Sequence, residues 1–433
     1  MSRLRDPLKL AQLLLHTPGG AVQELGWLSQ MGDIVRASFS GAYISNAQRP
    51  TLSQLYVGGT DAQSRAILSA RDDERLVRIA KLPSFFGNLL PEGHNRERLA
   101  ERRGVSADDE FELLAAAGHD LIGALEVVPG FDPPQEVLAL HYTRGLEPLE
   151  ASAVASPMDD GFSIGGYVTK FSMLQDGHRY VIRSGTQGGD IIAKLPSTKY
   201  PDLVHNEALC YRLAHAVGIH TANATARPVS ELDLPAQVVD TFSHYLHVPR
   251  FDRVRGADGT VQRVHFEELA QALGVDSRSK YKDLPLAMVS LLSVLKTSPA
   301  SGIADLEEVF RRWTAFALMG NTDAHTKNWA LLYTNGRHPS LAPAYDMVCV
   351  SAYFDADNPL ALAQNRQMDA SLRHWGEDEA QALAQKAGIL RFNQMRRVVR
   401  ETRLKARALW PALLQEHPGK AATEIARRLQ TMP

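Results

Sequence analysis

The sequence predicts an α+β protein in which a small α+β domain precedes a small β-rich lobe and a larger helical lobe. Residues 30–82 alternate short apolar runs with Gly, Asn and Asp, and helical patterns follow up to residue 123. Short strand-like segments lie between residues 180 and 248, and almost every later apolar pattern has helical spacing. These shifts predict domains at 1–155, 156–255 and 256–433, the first including a connector rich in Pro, Ala and Ser.

In the first domain, the Leu-rich run within the N-terminal sixteen residues ends at His16 and is too short for a signal peptide. These residues are therefore interpreted as an amphipathic helix. Residues 34–39 and 52–59 predict strands. A helix is expected over 96–103, and another over 111–117 that ends at Gly118.

In the small lobe, one helix is expected over 203–217, ending at Gly218, among strands at 180–183, 191–195, 225–229 and 245–248. The large lobe is expected to contain helices over 266–273, 284–295, 306–319, 377–386 and 394–410. A cleft between a β-rich and a helical lobe is the expected place for a ligand.

Charge and cysteine content exclude several classes of protein. The 47 Lys and Arg residues nearly balance 49 Asp and Glu residues, for a net charge of -2, so nucleic acid or a membrane surface is not the expected main partner. Cys210 and Cys349 are far apart, which excludes a disulfide scaffold and a thiolate zinc site and favours a reducing cytoplasm. No apolar run approaches the roughly 20 residues of a membrane span.

The most informative segment is the polar loop 320–328, which directly follows an apolar helix. Asp323 and Asn328 are separated by four residues, the spacing with which protein kinases place a catalytic Asp and a metal-binding Asn. Asp346 follows where a kinase has its second metal-binding carboxylate. Phosphoryl transfer requires these groups because it depends on positioning a hydroxyl and neutralising phosphate charge. The spacing therefore indicates a two-lobed, protein-kinase-like core.

A kinase also needs a strand lysine that binds the nucleotide phosphates, and Lys194 at the end of Ile-Ile-Ala-Lys has the required position. Upstream, Gly165 and Gly166 form a loop that could present backbone N–H groups to phosphate oxygens. Glu207, on the next helix, is a candidate orienting partner for the lysine.

Each of these residues also has a simpler interpretation. Asp323 could cap a helix, and Asn328 could satisfy turn backbone. Lys194 could be a solvated strand lysine and Glu207 a surface helix residue. Glycine pairs mark ordinary turns. The order of the whole set favours phosphoryl transfer over these separate explanations.

Taken together, the segments resemble the HipA family of bacterial toxin serine/threonine kinases, the kinase half of HipA/HipB-type toxin–antitoxin pairs. The resemblance covers most of the chain. It is carried by residues 85–93 and 111–124 in the first domain, and by 194–196, 206–207, 250–253, 280–281, 322–328 and 344–346 in the core.

The resemblance implies a catalytic base at Asp323, Mg²⁺ ligands at Asn328 and Asp346, and ATP as phosphate donor. It further implies ATP contacts from Gly165, Gly166, Tyr167, Val168, Thr169, Lys170, Lys194, Pro249, Arg250, Phe251, His325, Thr326, Lys327, Asn328, Tyr345 and Asp346. Family members autophosphorylate a serine of the phosphate loop, which ejects the loop and stops the kinase, and Ser163 holds the matching position.

The family also implies the partners. It predicts a cytoplasmic, translation-blocking toxin that phosphorylates an aminoacyl-tRNA synthetase. A HipB-like helix-turn-helix antitoxin would neutralise the toxin and connect it indirectly to operator DNA. The basic stretch 391–407 could touch that DNA, although a solvated helix face explains it more simply.

Two positions depart from the family pattern, Val168 where Gln is common and Pro249 where an acidic residue often stands. They motivate an alternative, a catalytically weak kinase-fold protein that acts mainly as a corepressor with antitoxin and DNA. A third hypothesis is a metal-dependent hydrolase that uses Asp323, His325 and Asp346.

Overall fold

A computed structural model describes residues 8–141, 170–176, 179–181, 188–196, 200–234, 241–256, 260–354 and 362–432. The chain divides into two compact units. The first unit comprises Met1–Ile192, Asp252–Arg278 and Tyr333–Arg337, and the second comprises Ala193–Phe251, Ser279–Leu332 and His338–Pro433. The domain boundaries expected near residues 155 and 255 stay a prediction.

The first unit contains a five-stranded sheet of order β4-β3-β2-β1-β5, in which all neighbours are antiparallel. Its strands are β1 Lys9–His16, β2 Val22–Met31, β3 Ile34–Phe39, β4 Val77–Ile79 and β5 Leu125–Pro129. The accompanying helices are α1 Gly41–Ser45, α2 Asp61–Leu68, α3 Ser84–Gly87, α4 Gly93–Arg103, α5 Glu110–Ala117 and α6 Gln135–Ala139. The mixture of strands and helices confirms the α+β class predicted for this part of the chain.

The predicted N-terminal helix is wrong where the structure describes it, because residues 9–16 form strand β1. Leu13 and Leu15 are buried, and Gln12 and Leu14 between them are less so, which is the two-residue period of a strand. β1 pairs with β2 on one side and with β5 on the other. Leucine favours a helix locally, but two ladders of backbone hydrogen bonds override that preference.

The remaining described elements of the first unit are β6 Lys170–Asp176, β7 Arg179–Val181, β11 Arg253–Arg255, β12 Val261–Arg263, β13 His265–Glu268 and the short helix α8 Leu269–Ala272. The helix predicted over 266–273 is therefore correct only for Leu269–Ala272, because the residues before it belong to strand β13. Glu268 begins the helical part, because its side chain and that of Gln271 cap each other's backbone. The strand predicted over 52–59 is also wrong, since Gln54–Tyr56 is a 3₁₀ turn.

Helix α5 packs so closely on β5 that the residue after it must be glycine. A Cβ at Gly118 would lie 2.0 Å from the carbonyl oxygen of Val127. The Val127 N–H donates to the Gly118 carbonyl oxygen at 3.0 Å, which joins the helix end to the strand. The helix stop predicted at Gly118 is confirmed, and this close approach is a second reason for the glycine.

The second unit is mainly helical. It contains strands β9 Thr225–Pro228, β10 His244–Pro249, β14 Ala330–Tyr333 and β15 Ser340–Leu341, and receives the end of β8 Ile191–Lys194. Its helices are α7 Leu203–Ala216, α9 Leu284–Thr297, α10 Ile303–Met319, α11 Leu362–Arg373, α12 Glu377–Lys386, α13 Phe392–Glu416 and α14 Lys420–Thr431. The predicted helices 203–217, 284–295, 306–319, 377–386 and 394–410 all correspond to observed helices.

Aromatic residues hold the helices of the second unit together. Trp410 of α13 is fully buried and donates from Nε1 to the Leu213 carbonyl oxygen of α7 at 2.9 Å. Trp375 donates to Thr314 Oγ1 of α10 at 3.0 Å. Both indoles therefore bury a large apolar area without an unsatisfied N–H group. No helix in the described part of the chain is both long enough and apolar enough to span a bilayer.

The first unit also contains a fully buried carboxyl group, that of Glu267. It accepts hydrogen bonds from Ser53 Oγ at 2.5 Å, from the Gln54 N–H at 2.9 Å and from the Tyr333 hydroxyl. Burial raises its pKa to about 7, although these three hydrogen bonds act in the opposite direction. The carboxyl group is therefore protonated in mildly acidic solution. These contacts also explain why 53–56 turns instead of continuing as a strand.

We expect this group to make the protein less stable as the pH rises. The folded-state pKa of Glu267 exceeds its ordinary value of 4.5. Its stabilising contribution is complete below pH 4.5 and is lost as the pH passes about 7, at a cost of about 3 kcal/mol. Glu267→Gln should remove that loss. Urea unfolding at pH 5, 7 and 8.5 tests this, with the exposed Glu401→Gln as control. Identical pH dependence in Glu267→Gln and wild type would contradict it.

Candidate active site

A buried lysine lies between two carboxylates at the end of β8. Lys194 Nζ contacts Glu207 Oε1 at 2.5 Å and also the carboxylate of Asp346. Glu207 comes from helix α7, and Asp346 lies 152 residues beyond the lysine in the chain. The side chains of Lys194 and Glu207 are each 7% exposed, and that of Asp346 is 30% exposed. Lys194 thus joins strand β8, helix α7 and the segment that contains Asp346. Of the three side chains, that of Asp346 is the most exposed to solvent.

The charges around Lys194 keep it protonated. Burial lowers the pKa of Lys194, but the negative charges of Asp346 and Glu207 outweigh that effect and raise the pKa above its ordinary value. The interpretations of Lys194 as a solvated lysine and of Glu207 as a surface residue are wrong, because both are buried. The arrangement supplies a fixed positive charge, which can bind a phosphate oxygen.

The backbone at Asp346 is held in an unusual conformation. Its φ of 58° lies in the left-handed region, which few residues other than glycine adopt. Its N–H donates to the Tyr211 hydroxyl at 3.0 Å. Two residues earlier, the Ala344 N–H donates to the His220 carbonyl oxygen at 2.8 Å. Such conformations persist where the surroundings determine them and are concentrated at functional sites. Tyr211 was not among the predicted site residues.

The loop after α10 is held by its own amide side chains. Asn328 Nδ2 donates to the Asp323 carbonyl oxygen at 2.8 Å, and the Asp323 N–H donates to Asn321 Oδ1 at 3.4 Å. The simpler interpretation of Asn328 as a turn residue is thus confirmed for its amide nitrogen. Asp323 caps no described helix, since the 3₁₀ turn Thr326–Asn328 begins after His325. Its carboxylate accepts from the Tyr281 hydroxyl instead.

A second segment, Lys280 and Tyr281, is attached to the same loop. The Lys280 carbonyl oxygen accepts from both the N–H and the Oγ1 of Thr326, at 3.1 and 2.9 Å. The ring of Tyr281 meets the His325 ring edge-on, with 5.0 Å between the centroids. Thr326, predicted to contact ATP, therefore uses its hydroxyl to join the two segments.

Tyr345 connects the Asp346 segment to the Asp323 loop. Its hydroxyl donates to the Lys327 carbonyl oxygen at 2.9 Å. Its ring lies 5.7 Å from the ring of Phe251, measured between centroids. Of the predicted nucleotide-pocket residues, Phe251 and Tyr345 are thus in contact with each other, and both are far from Lys194 in the sequence.

A buried network behind the loop connects it to the C-terminal helix. Gly320 has a φ of 69°, and a Cβ there would lie 2.0 Å from Ser351 Oγ. Ser351 Oγ donates to Glu424 Oε1 of α14 at 3.3 Å, and its N–H donates to the Gly320 carbonyl oxygen at 3.1 Å. Arg428, fully buried, donates to the Ala317 carbonyl oxygen at 2.9 Å and to Asp369 Oδ1 at 2.5 Å. Helix α14 is thereby bonded to the end of α10, to α11 and to the segment that contains Ser351.

The other residues predicted to bind ATP or to be phosphorylated lie in different parts of the chain. Ser163 and the loop residues Gly165, Gly166, Tyr167, Val168 and Thr169 lie outside the described residues. Lys170 begins β6 and is buried in the first unit, whereas Pro249 ends β10 and Arg250 is buried in the second.

The neighbouring Asp252 and Arg253, part of the family-like motif, act within the first unit. The Arg253 guanidinium is buried and donates to the carbonyl oxygens of Leu121 and Gly123, each at 2.8 Å. The Gly123 N–H donates to Asp252 Oδ2 at 2.9 Å. This pair therefore holds residues 121–123 in place, which is a structural role.

The donor set fits a hard cation such as Mg²⁺ at Asn328 and Asp346. An amide oxygen and a carboxylate are the oxygen ligands that Mg²⁺ prefers, usually with only one or two carboxylates from the protein. Among the described residues, no three His, Cys, Asp or Glu side chains form a metal-binding cluster. Asp323, His325 and Asp346 are thus not arranged as the three-ligand site that the hydrolase hypothesis expects.

Most cationic side chains of the basic stretch on α13 contact acceptors of the same chain. Arg400 Nη2 contacts Glu377 Oε2 at 2.6 Å, and Arg396 contacts the same carboxylate at 3.6 Å. Arg403 donates to the Trp375 carbonyl oxygen, and Arg407 to that of Met432. These contacts favour the solvated, self-paired helix face over a DNA-binding surface.

The order of these groups along the chain agrees with a known family. A family model described as the HipA-like C-terminal domain matches residues 162–410, more than half of the chain. The chain belongs to the HipA family. A second model, the HipA N-terminal domain, matches residues 21–128. The family predicted from the sequence motifs is therefore confirmed.

Relatives within the HipA family extend over most of the chain. It is 32% identical over 401 residues to "Putative kinase Y4dM" of Sinorhizobium fredii, covering 91% of this chain and 90% of that protein. It is 30% identical over 319 residues to the serine/threonine-protein kinase toxin HipA of Shewanella oneidensis, covering 67% of this chain and 68% of the toxin.

A solved structure confirms the fold. It is that of the Shewanella oneidensis HipA, HipB and operator DNA complex, which this chain matches with a TM-score of 0.67 and 22% identity. The match covers 98% of this chain and 95% of the other. The predicted α+β, kinase-like fold class is thereby confirmed.

Proposed function

We propose that this protein is a protein-serine/threonine kinase that transfers the γ-phosphate of ATP to a protein hydroxyl. The observation that carries the proposal is the buried contact of Lys194 with both Glu207 and Asp346. A kinase requires such a lysine, oriented by a helix glutamate and adjacent to a metal-binding carboxylate. The family and the relatives named as kinases support the same conclusion.

Each of the site residues has a different role in the proposed phosphoryl transfer. Lys194 binds the phosphates of ATP through its fixed positive charge, and Glu207 holds it in position. Asp323 orients the acceptor hydroxyl and receives its proton as the new phosphoester bond forms and the bond from the γ-phosphorus to the β,γ-bridging oxygen breaks, which releases ADP. Asn328 and Asp346 would hold Mg²⁺, which supplies neutralising charge at the phosphates when bound. Tyr345 and Phe251 contribute to the pocket for the base of the nucleotide.

The biological role we propose is that of a toxin. The Shewanella relative is named a kinase toxin, and the solved structure holds HipA with HipB and operator DNA. By analogy, a HipB-like helix-turn-helix antitoxin neutralises this chain in the cytoplasm and connects it to DNA. The protein substrate we propose is an aminoacyl-tRNA synthetase, whose phosphorylation inhibits translation. Autophosphorylation at Ser163 then inactivates the kinase, because it adds almost two negative charges beside the ATP phosphates.

Replacement of Asp323 by Asn is expected to reduce phosphate transfer by about 10²–10⁴-fold, because the amide cannot accept the proton. The measurement is transfer of radiolabelled phosphate from Mg·ATP to the protein itself, to casein and to purified aminoacyl-tRNA synthetases. Peptide mapping locates the label, which is expected at Ser163. Asp378→Asn, at a side chain that is 88% exposed, is the matched control.

Three outcomes have different meanings. Loss of transfer in Asp323→Asn alone supports the kinase. Equal transfer in wild type and Asp323→Asn contradicts the role of Asp323. Absence of any transfer by the wild type favours the alternative, a catalytically weak protein that acts as a corepressor with its antitoxin.

A further inference from the structure

We propose that Tyr281 is a positioning residue for Asp323, the group that receives the acceptor's proton. The inference rests on the proposed kinase function. The Tyr281 hydroxyl donates a hydrogen bond to Asp323 Oδ1. A carboxylate can rotate about its Cβ–Cγ bond, and a donor fixed on one oxygen determines the orientation of the other.

The tyrosine is itself held by the loop that carries Asp323. The preceding carbonyl oxygen, that of Lys280, accepts two hydrogen bonds from Thr326, at 3.1 and 2.9 Å. The tyrosine ring packs edge-on against His325, with an interplanar angle of 84°. The hydroxyl is therefore presented from a backbone position and a ring position that are both determined by neighbours of Asp323. Three contacts within one short segment make this a built arrangement.

The test is Tyr281→Phe, which removes one oxygen and keeps the ring on His325. We expect kcat for phosphate transfer to casein to fall about 10- to 100-fold, with the KM values for ATP and casein within about twofold of wild type. This split between kcat and KM distinguishes a positioning residue from a structural one. Tyr43→Phe is the control, since it removes the hydroxyl that donates to the Pro50 carbonyl oxygen at 2.7 Å.

An unchanged kcat in Tyr281→Phe would overturn the inference. So would a lower melting temperature with normal kcat for the folded fraction, because that result describes a structural residue. Asp323→Asn separates the two proposals. If it is inactive while Tyr281→Phe is normal, only the role of Tyr281 fails. If it is as active as wild type, or if the wild type transfers nothing, the kinase proposal fails and the inference with it.

Discussion

Replacement of Lys194 by Met is expected to abolish phosphate transfer and to destabilise the second unit by about 3–5 kcal/mol. The methionine fills a similar volume but leaves the carboxylates of Glu207 and Asp346 without their cation. The Glu207 side chain is 7% exposed and lies on helix α7, so its carboxylate stays buried in the variant. An uncompensated buried charge costs far more than the intact pair contributes. Loss of activity alone would only show that Lys194 is needed; the loss of stability tests the geometry.

The pH dependence of this loss has a definite sign. Without Lys194, burial disfavours the ionised form of Glu207, so its folded-state pKa in the variant lies above its unfolded value. The carboxyl is neutral in both states at low pH, and the variant loses stability as the pH rises past the unfolded pKa. The deficit relative to wild type should therefore be larger at pH 8 than at pH 5.

A second variant separates stability from catalysis. Lys194→Met with Glu207→Gln removes the uncompensated charge, and we expect it to regain much of the stability while remaining inactive. Urea unfolding at both pH values and phosphate transfer are measured on the same samples. A single Lys194→Met variant as stable as wild type at pH 8 would show that the buried triad is not formed as described.

Replacement of Arg428 by Met is expected to cost about 3 kcal/mol, because the Asp369 carboxylate keeps only the more exposed Arg373 as a partner and the Ala317 carbonyl oxygen loses its donor. The arginine is 0% exposed and also donates to the last turn of α10 at the Ala317 carbonyl oxygen. Gly320, three residues beyond Ala317, begins the loop that carries Asp323. The loss should therefore reach the active site and lower kcat as well as the unfolding midpoint.

The adjacent arginine provides the control. Arg427 lies on the same helix, is 48% exposed and pairs with Glu424. Exposed ion pairs contribute about 0–1 kcal/mol, so Arg427→Met should be nearly neutral. Thermal unfolding and phosphate transfer of both variants give the comparison. Equal effects of the two substitutions would show that burial of Arg428 does not matter for stability.

Local patterns predicted the helices of the second unit well, and one strand of the first unit poorly. Residues 377–386 and 203–217 have polar and apolar positions at helical spacing, and the structure places helices there. Residues 9–16 have no such clear signal, and their strand depends on β2 and β5. A central strand is determined by its neighbours in the sheet, which a local pattern does not contain.

The site was predicted in part. Order and spacing selected Lys194, Asp323, Asn328 and Asp346 as candidates, because a reaction that depends on charge placement needs those residue types, and their roles stay a prediction. Tyr281 and Tyr211 were not assigned roles. The Tyr281 hydroxyl donates to Asp323 and the Tyr211 hydroxyl accepts from the Asp346 N–H, and nothing in the residues around a tyrosine indicates such a distant partner.

Motifs and local patterns were enough to predict the family, the α+β class and most helices of the second unit. The partners of these groups became known from the packed structure: Glu207 is buried against Lys194, Tyr281 donates to Asp323, and most cations of the basic stretch on α13 contact groups of the same chain. The cause is the separation along the chain of the residues that interact. Helical period, caps and turns act over a few residues, whereas the Lys194–Asp346 contact spans 152 residues and exists only when the whole unit is packed.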